Sequence, residues 1–141
     1  MRTRTPTPHE IKELIAFLPE LYAEGFSAVI TWNGGTNEKD GAYRLPWPEY
    51  NPVVLDFFRA LGSDCWLDYD YRPEEAWQML KDEPFVRQAT LDQVKTMLTF
   101  CVRGERFSDG HWAEMIEGGH IRRLLERLAE LGNAQAGLAD V

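Results

Sequence analysis

Between Arg103 and Trp112 the chain reads RGERFSDGHW, which sets five ionisable side chains into ten positions. Residues of these types can do acid–base work. Glu105 could serve as a general base and His111 as a second proton carrier, with Arg106 stabilising a developing anion and Asp109 completing the charge cluster. The same residues also suit a purely structural loop. In that reading Gly104 stops one helix at positive φ, and Ser108 or Asp109 caps the next by accepting from backbone N–H groups. Arg103 and Arg106 then pair with Glu105 and Asp109, Phe107 and Trp112 anchor the turn in the core, and Gly110 supplies the bend. The structural reading needs no substrate and is the simpler of the two.

Other spacings give less. His111, Glu114, Glu117 and His120 fall three apart, and Glu117-x-x-His120 has the spacing of a carboxylate-bridged di-iron ligand pair. A di-iron bundle needs a second such pair and two more glutamates, and Gly118-Gly119 interrupts the helix between these two. No metal and no cofactor is therefore expected. No G-x-S-x-G occurs, and the glycines of WNGGTNEKDG lack the Lys-Ser/Thr ending of a phosphate cradle. The stretch DCWLDYDYRPEE is different in kind. Its Asp64, Trp66, Asp68, Asp70, Glu74 and Glu75 form an acidic-aromatic run suited to a basic protein partner, since aromatics give contact area and carboxylates steer association.

Helices must position these groups. Thr7-Pro8-His9-Glu10 has capping-box spacing with Pro at the first helical position, and Ile11, Leu14, Ile15, Leu18 and Tyr22 recur on one face. Pro19 must kink or break that helix, because it lacks the N–H and crowds the carbonyl of Ile15. Phe26–Trp32 reads as a short strand or an irregular return, and NGGTNEKDGAY as a loop. Tyr50, Val53, Val54, Phe57, Phe58 and Leu61 make a helical stripe ended by Gly62. Cys65, Leu67, Tyr69 and Tyr71 alternate with Asp68 and Asp70, which predicts a half-buried extended segment. Pro73 opens a helix carrying Trp77 and Leu80, and Thr90-Leu91-Asp92-Gln93 is a second capping box. The last helices span about Gly110–Glu117 and His120–Leu131, the second burying Ile121, Leu124, Leu125 and Leu128.

LTFCVRGERFSDGHW followed by GGHIRRLLERL resembles a family of small bacterial and archaeal proteins known only as a domain of unknown function. The resemblance runs from about Tyr50 to Leu131, and RGERF-x-DG-x-W is its most specific part. It implies that Arg103, Gly104, Glu105, Arg106, Phe107, Asp109, Gly110 and Trp112 belong to a motif, and it implies no activity. The family often carries Cys at the position of Ser108, so a thiol there is not essential chemistry in this chain.

Composition limits the remaining choices. The 141 residues suit one domain, with residues 8–131 as the folded core and 1–6 and 132–141 as tails. Seventeen aromatics can build a core without disulfides, so Cys65 and Cys101 are expected as buried, reduced thiols. The net charge of −8 is spread evenly, with 7 basic and 11 acidic groups in residues 1–72 and 8 and 12 in residues 73–141. Without clustered Lys and Arg, direct binding of nucleic acid or of an anionic membrane is disfavoured. No apolar run approaches a membrane span and none resembles a secretory leader, which predicts a cytoplasmic protein.

The expected fold is a mainly α, compact domain of five or six helices with room for one small β-element. The expected function is non-enzymatic: a protein-interaction module meeting a basic partner through its acidic-aromatic surface, for instance as an inhibitor of a nucleic-acid-binding protein. The alternative is a small hydrolase or nucleotide-directed enzyme built on Glu105, Arg106, Asp109 and His111. Homo-oligomerisation is left open. What separates the two is whether the charges of the motif converge on an open pocket or are consumed by one another.

Overall fold

The computed structural model describes residues 3–35 and 45–139, with side chains through residue 134. The chain is mainly α-helical, with one small antiparallel sheet. Helix α1 (Pro8–Ile15) begins at the expected capping box: Thr7 accepts from the Glu10 N–H, and the Glu10 carboxylate accepts from the Thr7 N–H. It ends at Ala16, ahead of Pro19, and α2 (Phe17–Leu21) follows as the continuation that Pro19 forces out of line.

Strands β1 (Val29–Asn33) and β2 (Trp47–Tyr50) pair antiparallel, with Val29 opposite Tyr50 and Asn33 opposite Trp47. Tyr50 thus ends a strand rather than opening the helical stripe. The expected glycine-rich loop lies, beyond Gly35, outside the described residues. Helix α3 (Pro52–Leu61) is capped by the Asn51 side chain, which accepts from the Val53 N–H.

The segment after α3 departs from its predicted extended form. Asp64–Trp66 is a 3₁₀ turn, and Cys65, Trp66 and Leu67 are buried consecutively rather than alternately. The hydroxyl of Thr99 receives the Asp68 N–H at 2.8 Å, and the Asp68 carboxylate receives the Thr96 hydroxyl at 2.7 Å. These bonds hold the segment to the helix below it.

That helix is α6 (Leu91–Arg103), preceded by α4 (Pro73–Lys81) and a short α5 (Glu83–Arg87) that the hydrophobic pattern does not announce. Asp82 makes α5 by accepting from the Phe85 N–H. Thr90 and Gln93 form the second capping box as expected. Helix α7 (His111–Glu117) and helix α8 (His120–Ala139) complete the chain, α8 continuing past Leu131. Ile121, Leu124, Leu125 and Leu128 of α8 are fully buried and pack with Val94, Leu98 and Cys101 of α6 and Leu14 of α1 in one core. Both cysteines are buried and unpaired, as the sequence predicts. Among the described residues no helix is long and apolar enough to cross a membrane.

Gly104 does end α6, but not by positive φ. Its φ is −61°, and the chain continues into a 3₁₀ turn, Gly104–Arg106. The position excludes a side chain for another reason: a Cβ there would stand 2.2 Å from Nε2 of His111. Glycine is required by close approach rather than by backbone conformation. Gly104→Ala should therefore destabilise by about 1–3 kcal/mol, the usual range for overpacking. Denaturant unfolding measures this, and an unchanged midpoint would show that the His111 ring moves aside freely.

Candidate functional site

Helices α6 and α7 terminate one another around Glu105. One carboxylate oxygen of Glu105 accepts from the Tyr50 hydroxyl at 2.7 Å and from the Trp112 N–H at 2.9 Å. The other accepts from the Gly110 N–H at 3.0 Å. A helix start leaves its first N–H groups without partners, and here a carboxylate from the preceding turn fills that need. Neither Ser108 nor Asp109 makes the expected cap; the Ser108 carbonyl only receives the His111 N–H. In return, α7 serves the end of α6. The Trp112 indole N–H donates to the Val102 carbonyl at 2.9 Å, and Nε2 of His111 lies 3.2 Å from the Phe100 carbonyl. A carbonyl only accepts, so that nitrogen carries the proton and Nδ1 is left as the acceptor.

Rings close the arrangement. Trp112 stacks on Phe58 with centroids 4.5 Å apart and planes 6° apart, and touches Tyr50 at 5.3 Å. Gly110 has φ +93°, a left-handed conformation that suits glycine. A Cβ there would also stand 2.8 Å from the ring of Trp32. A turn in the motif and a strand nearly eighty residues earlier are thus fitted to each other.

The other charges of the motif do not behave as predicted. Arg103 pairs with no carboxylate among the described residues; its guanidinium lies 5.5 Å from the ring centroids of both Tyr69 and Tyr71. Arg106 and Asp109 are exposed and form no ion pair with each other. Phe107 is 83% exposed rather than anchored in the core. The hydrophobic anchors are Trp112 and, unforeseen from the sequence, Tyr50 and Phe58. Glu105, Arg106, Asp109 and His111 therefore do not converge on a common pocket.

Two concave surfaces flank α7 instead. A groove of about 380 Å³ runs between β1 and α7, lined by Val29, Ile30, Thr31 and Trp32 on one side and by Asp109, Gly110, Ala113, Glu114 and Glu117 on the other. A cleft of about 370 Å³ opens between α4, α6 and α7, lined by Pro73, Glu74, Trp77, Phe100, His111, Glu114 and Met115. Four rings in succession make three contacts beside this cleft: His120 meets Trp77 edge-on at 5.5 Å, Trp77 stacks on Phe100 at 5.8 Å, and Phe100 meets His111 at 5.1 Å. Burial holds both histidines below the usual imidazole range, His120 also through the nearby Arg123.

Of the acidic stretch, Trp66 is only 3% exposed and cannot meet a partner. Asp68 is half-buried in its bonds to Thr96 and to the Asp70 N–H, Asp64 accepts the Tyr69 hydroxyl, and Glu75 pairs with Arg72 at 3.5 Å. Glu74 borders the aromatic cleft, whereas Asp68 and Asp70 line a separate hollow of about 310 Å³ together with Lys95. Among the described residues no group of three or more His, Cys, Asp or Glu is arranged to hold a metal ion, Glu117 and His120 included.

The site thus defines a small, mainly α domain in which a carboxylate-bound helix junction displays an exposed turn beside two clefts. The chain belongs to a family of unknown function (DUF6508), which it matches over residues 6–134, a longer span than the sequence motif implied. No curated protein and no solved structure matches it.

Two predictions follow from this geometry. Glu105→Ala should cost about 2–3 kcal/mol, since it strands two N–H groups and a hydroxyl that bond a charged acceptor. Arg106→Ala and Asp109→Ala should each stay within about 0.5 kcal/mol of the parent, as exposed residues without partners among the described residues do. Denaturant melts of the three variants check this, and a large loss at Arg106 or Asp109 would restore the ion-paired loop. The histidines give a pH dependence. A depressed folded-state pKa means the unfolded chain binds more protons, so stability is fully present above about pH 6.5 and falls as acid protonates the unfolded imidazoles. The melting temperature should decline from pH 7.5 to 5.5, a window above the titration of Glu10, which Arg4 holds well below the carboxylate range. A flat or rising profile would show that neither ring is held neutral by the fold.

Proposed function

We propose that the chain is a protein-interaction module that receives a basic partner in the groove between β1 and α7. The observation that carries this reading is the pairing of exposed apolar surface with uncompensated carboxylates in one concavity. Ile30 is 59% and Trp32 52% exposed. Facing them, Asp109, Glu114 and Glu117 have no cationic partner among the described residues. Large exposed aromatics beside a groove are typical anchors of protein interfaces. Carboxylates at the rim select basic partners and speed their approach.

The form of the groove favours an extended segment. Among the described residues β1 is hydrogen-bonded to one strand only, β2, and a strand with an open edge accepts a further strand. The acidic-aromatic surface expected at Asp64–Glu75 is in this reading displaced to α7, because Trp66 and Asp68 are engaged within the fold. The exposed Arg106 and Phe107 stand in the same turn as Asp109 and widen the contact face.

The test is a binding series with labelled extended peptides alternating apolar and basic residues. The parent should bind the basic series and not its Glu-substituted counterpart. Affinity should fall as salt rises, because the charges are exposed and therefore screened. The variant D109K/E114K/E117K should melt as the parent does yet lose this binding, and Trp32→Ala should weaken it by roughly tenfold, a hot-spot-sized loss. Equal binding by the charge-reversed variant, or none by the parent, would overturn the reading.

A further inference from the structure

We propose that the cleft between α4, α6 and α7 is a binding site for a small organic cation: an amidinium, guanidinium or ammonium carried on a flat apolar body. The cleft is separate from the groove, sharing only Glu114 with it.

Its walls specify this chemistry. Trp77, Phe100, Met115 and Pro73 supply apolar and aromatic surface, enough to desolvate one ring of a ligand in about 370 Å³. The charged groups at the mouth are both carboxylates, Glu74 and Glu114, and neither has a cationic partner among the described residues. Among the described residues no lysine or arginine lines the cleft. An anion would meet two like charges there, and a neutral apolar molecule would leave both carboxylates unused. A cation with an apolar body satisfies walls and mouth together, and the aromatic faces add cation–π attraction.

His111 is the second, independent sign. It is 8% exposed, lines the cleft, and makes its one side-chain hydrogen bond through Nε2 to the Phe100 carbonyl. Its Nδ1 therefore has no partner among the described residues. That nitrogen is not fully enclosed, and as an acceptor it can receive an N–H of a bound cation. The arrangement also explains why the ring is placed so tightly over Gly104. The glycine lets the imidazole pack closely against the α6 terminus while the ring lines the cleft.

Isothermal titration of the full chain with benzamidinium, benzamide and benzoate tests the assignment, since the three share a ring and differ in charge. Benzamidinium should bind at least roughly tenfold tighter than benzamide, the difference one charge-assisted contact makes, and benzoate should not bind. Glu74→Gln and Glu114→Gln should each weaken benzamidinium and leave benzamide unchanged. Asp109→Asn and Glu117→Gln, which touch only the groove, should leave it as tight as in the parent. That contrast keeps the cleft and the groove distinguishable. If benzamide binds as well as benzamidinium, if E74Q and E114Q bind like the parent, or if nothing binds, the assignment is wrong.

Discussion

The structure depends on one carboxylate. Glu105 faces a start of helix whose donors would otherwise lie half-buried without acceptors, and it meets two of them with a charge. The interaction is reciprocal, because the side chains at the start of α7 satisfy the carbonyls at the end of α6. Two helix ends that each lack partners are joined so that each supplies what the other needs. The Tyr50 hydroxyl ties the sheet to the same carboxylate, and Trp112 ties in α3 by stacking on Phe58. Burial and the bond to Glu105 both push the Tyr50 phenol upward, so it remains a donor throughout the working range of pH.

A junction held this way has a consequence for what is displayed. Once Glu105 is engaged, the residues between it and Gly110 must pass around the outside of the turn. Arg106, Phe107, Ser108 and Asp109 are exposed for that reason, although one of them is a large hydrophobe. The motif therefore divides into a part that holds and a part that is shown. Gly104, Glu105, Gly110, His111 and Trp112 hold. The division also fixes the orientation of α7, which turns His111 and Met115 toward the cleft and Ala113 and Glu117 toward the groove, with Glu114 at the rim of both.

What could be read in the sequence was local. The two capping boxes, the break before Pro19 and the buried stripe of α8 each depend on residues within one or two turns, and each stands as expected. The strand pair was only half legible. Phe26–Trp32 suggested β1, but Pro48 disguised β2, since proline is tolerated only where a ladder has an edge to spare. Alternation at Cys65–Tyr71 misled because a 3₁₀ turn buries consecutive residues. The role of Glu105 was hidden for a different reason. Its partners lie five, seven and fifty-five positions away, and they come together only when Gly110 adopts positive φ and Trp32 packs over it. Charge pairing was the natural sequence-level guess for such a cluster, and hydrogen bonding to backbone donors proved the stronger demand on the carboxylate.

The distribution of ion pairs gives the acidic balance its meaning. Arg4, Arg59, Arg72, Arg87, Arg122 and Arg127 each meet a carboxylate close by in sequence, all but Arg127 with an exposed side chain. Such pairs contribute little to stability. Their larger effect is to balance charge locally where they stand. Asp109, Glu114, Glu117 and Glu74 receive no such partner among the described residues and line the two hollows beside α7. Low-dielectric walls on either side of uncompensated charge concentrate its field in the opening. Carboxylates and uncovered apolar surface thus meet in both hollows, and it is this coincidence, more than the net charge, on which the proposal of a cationic partner rests.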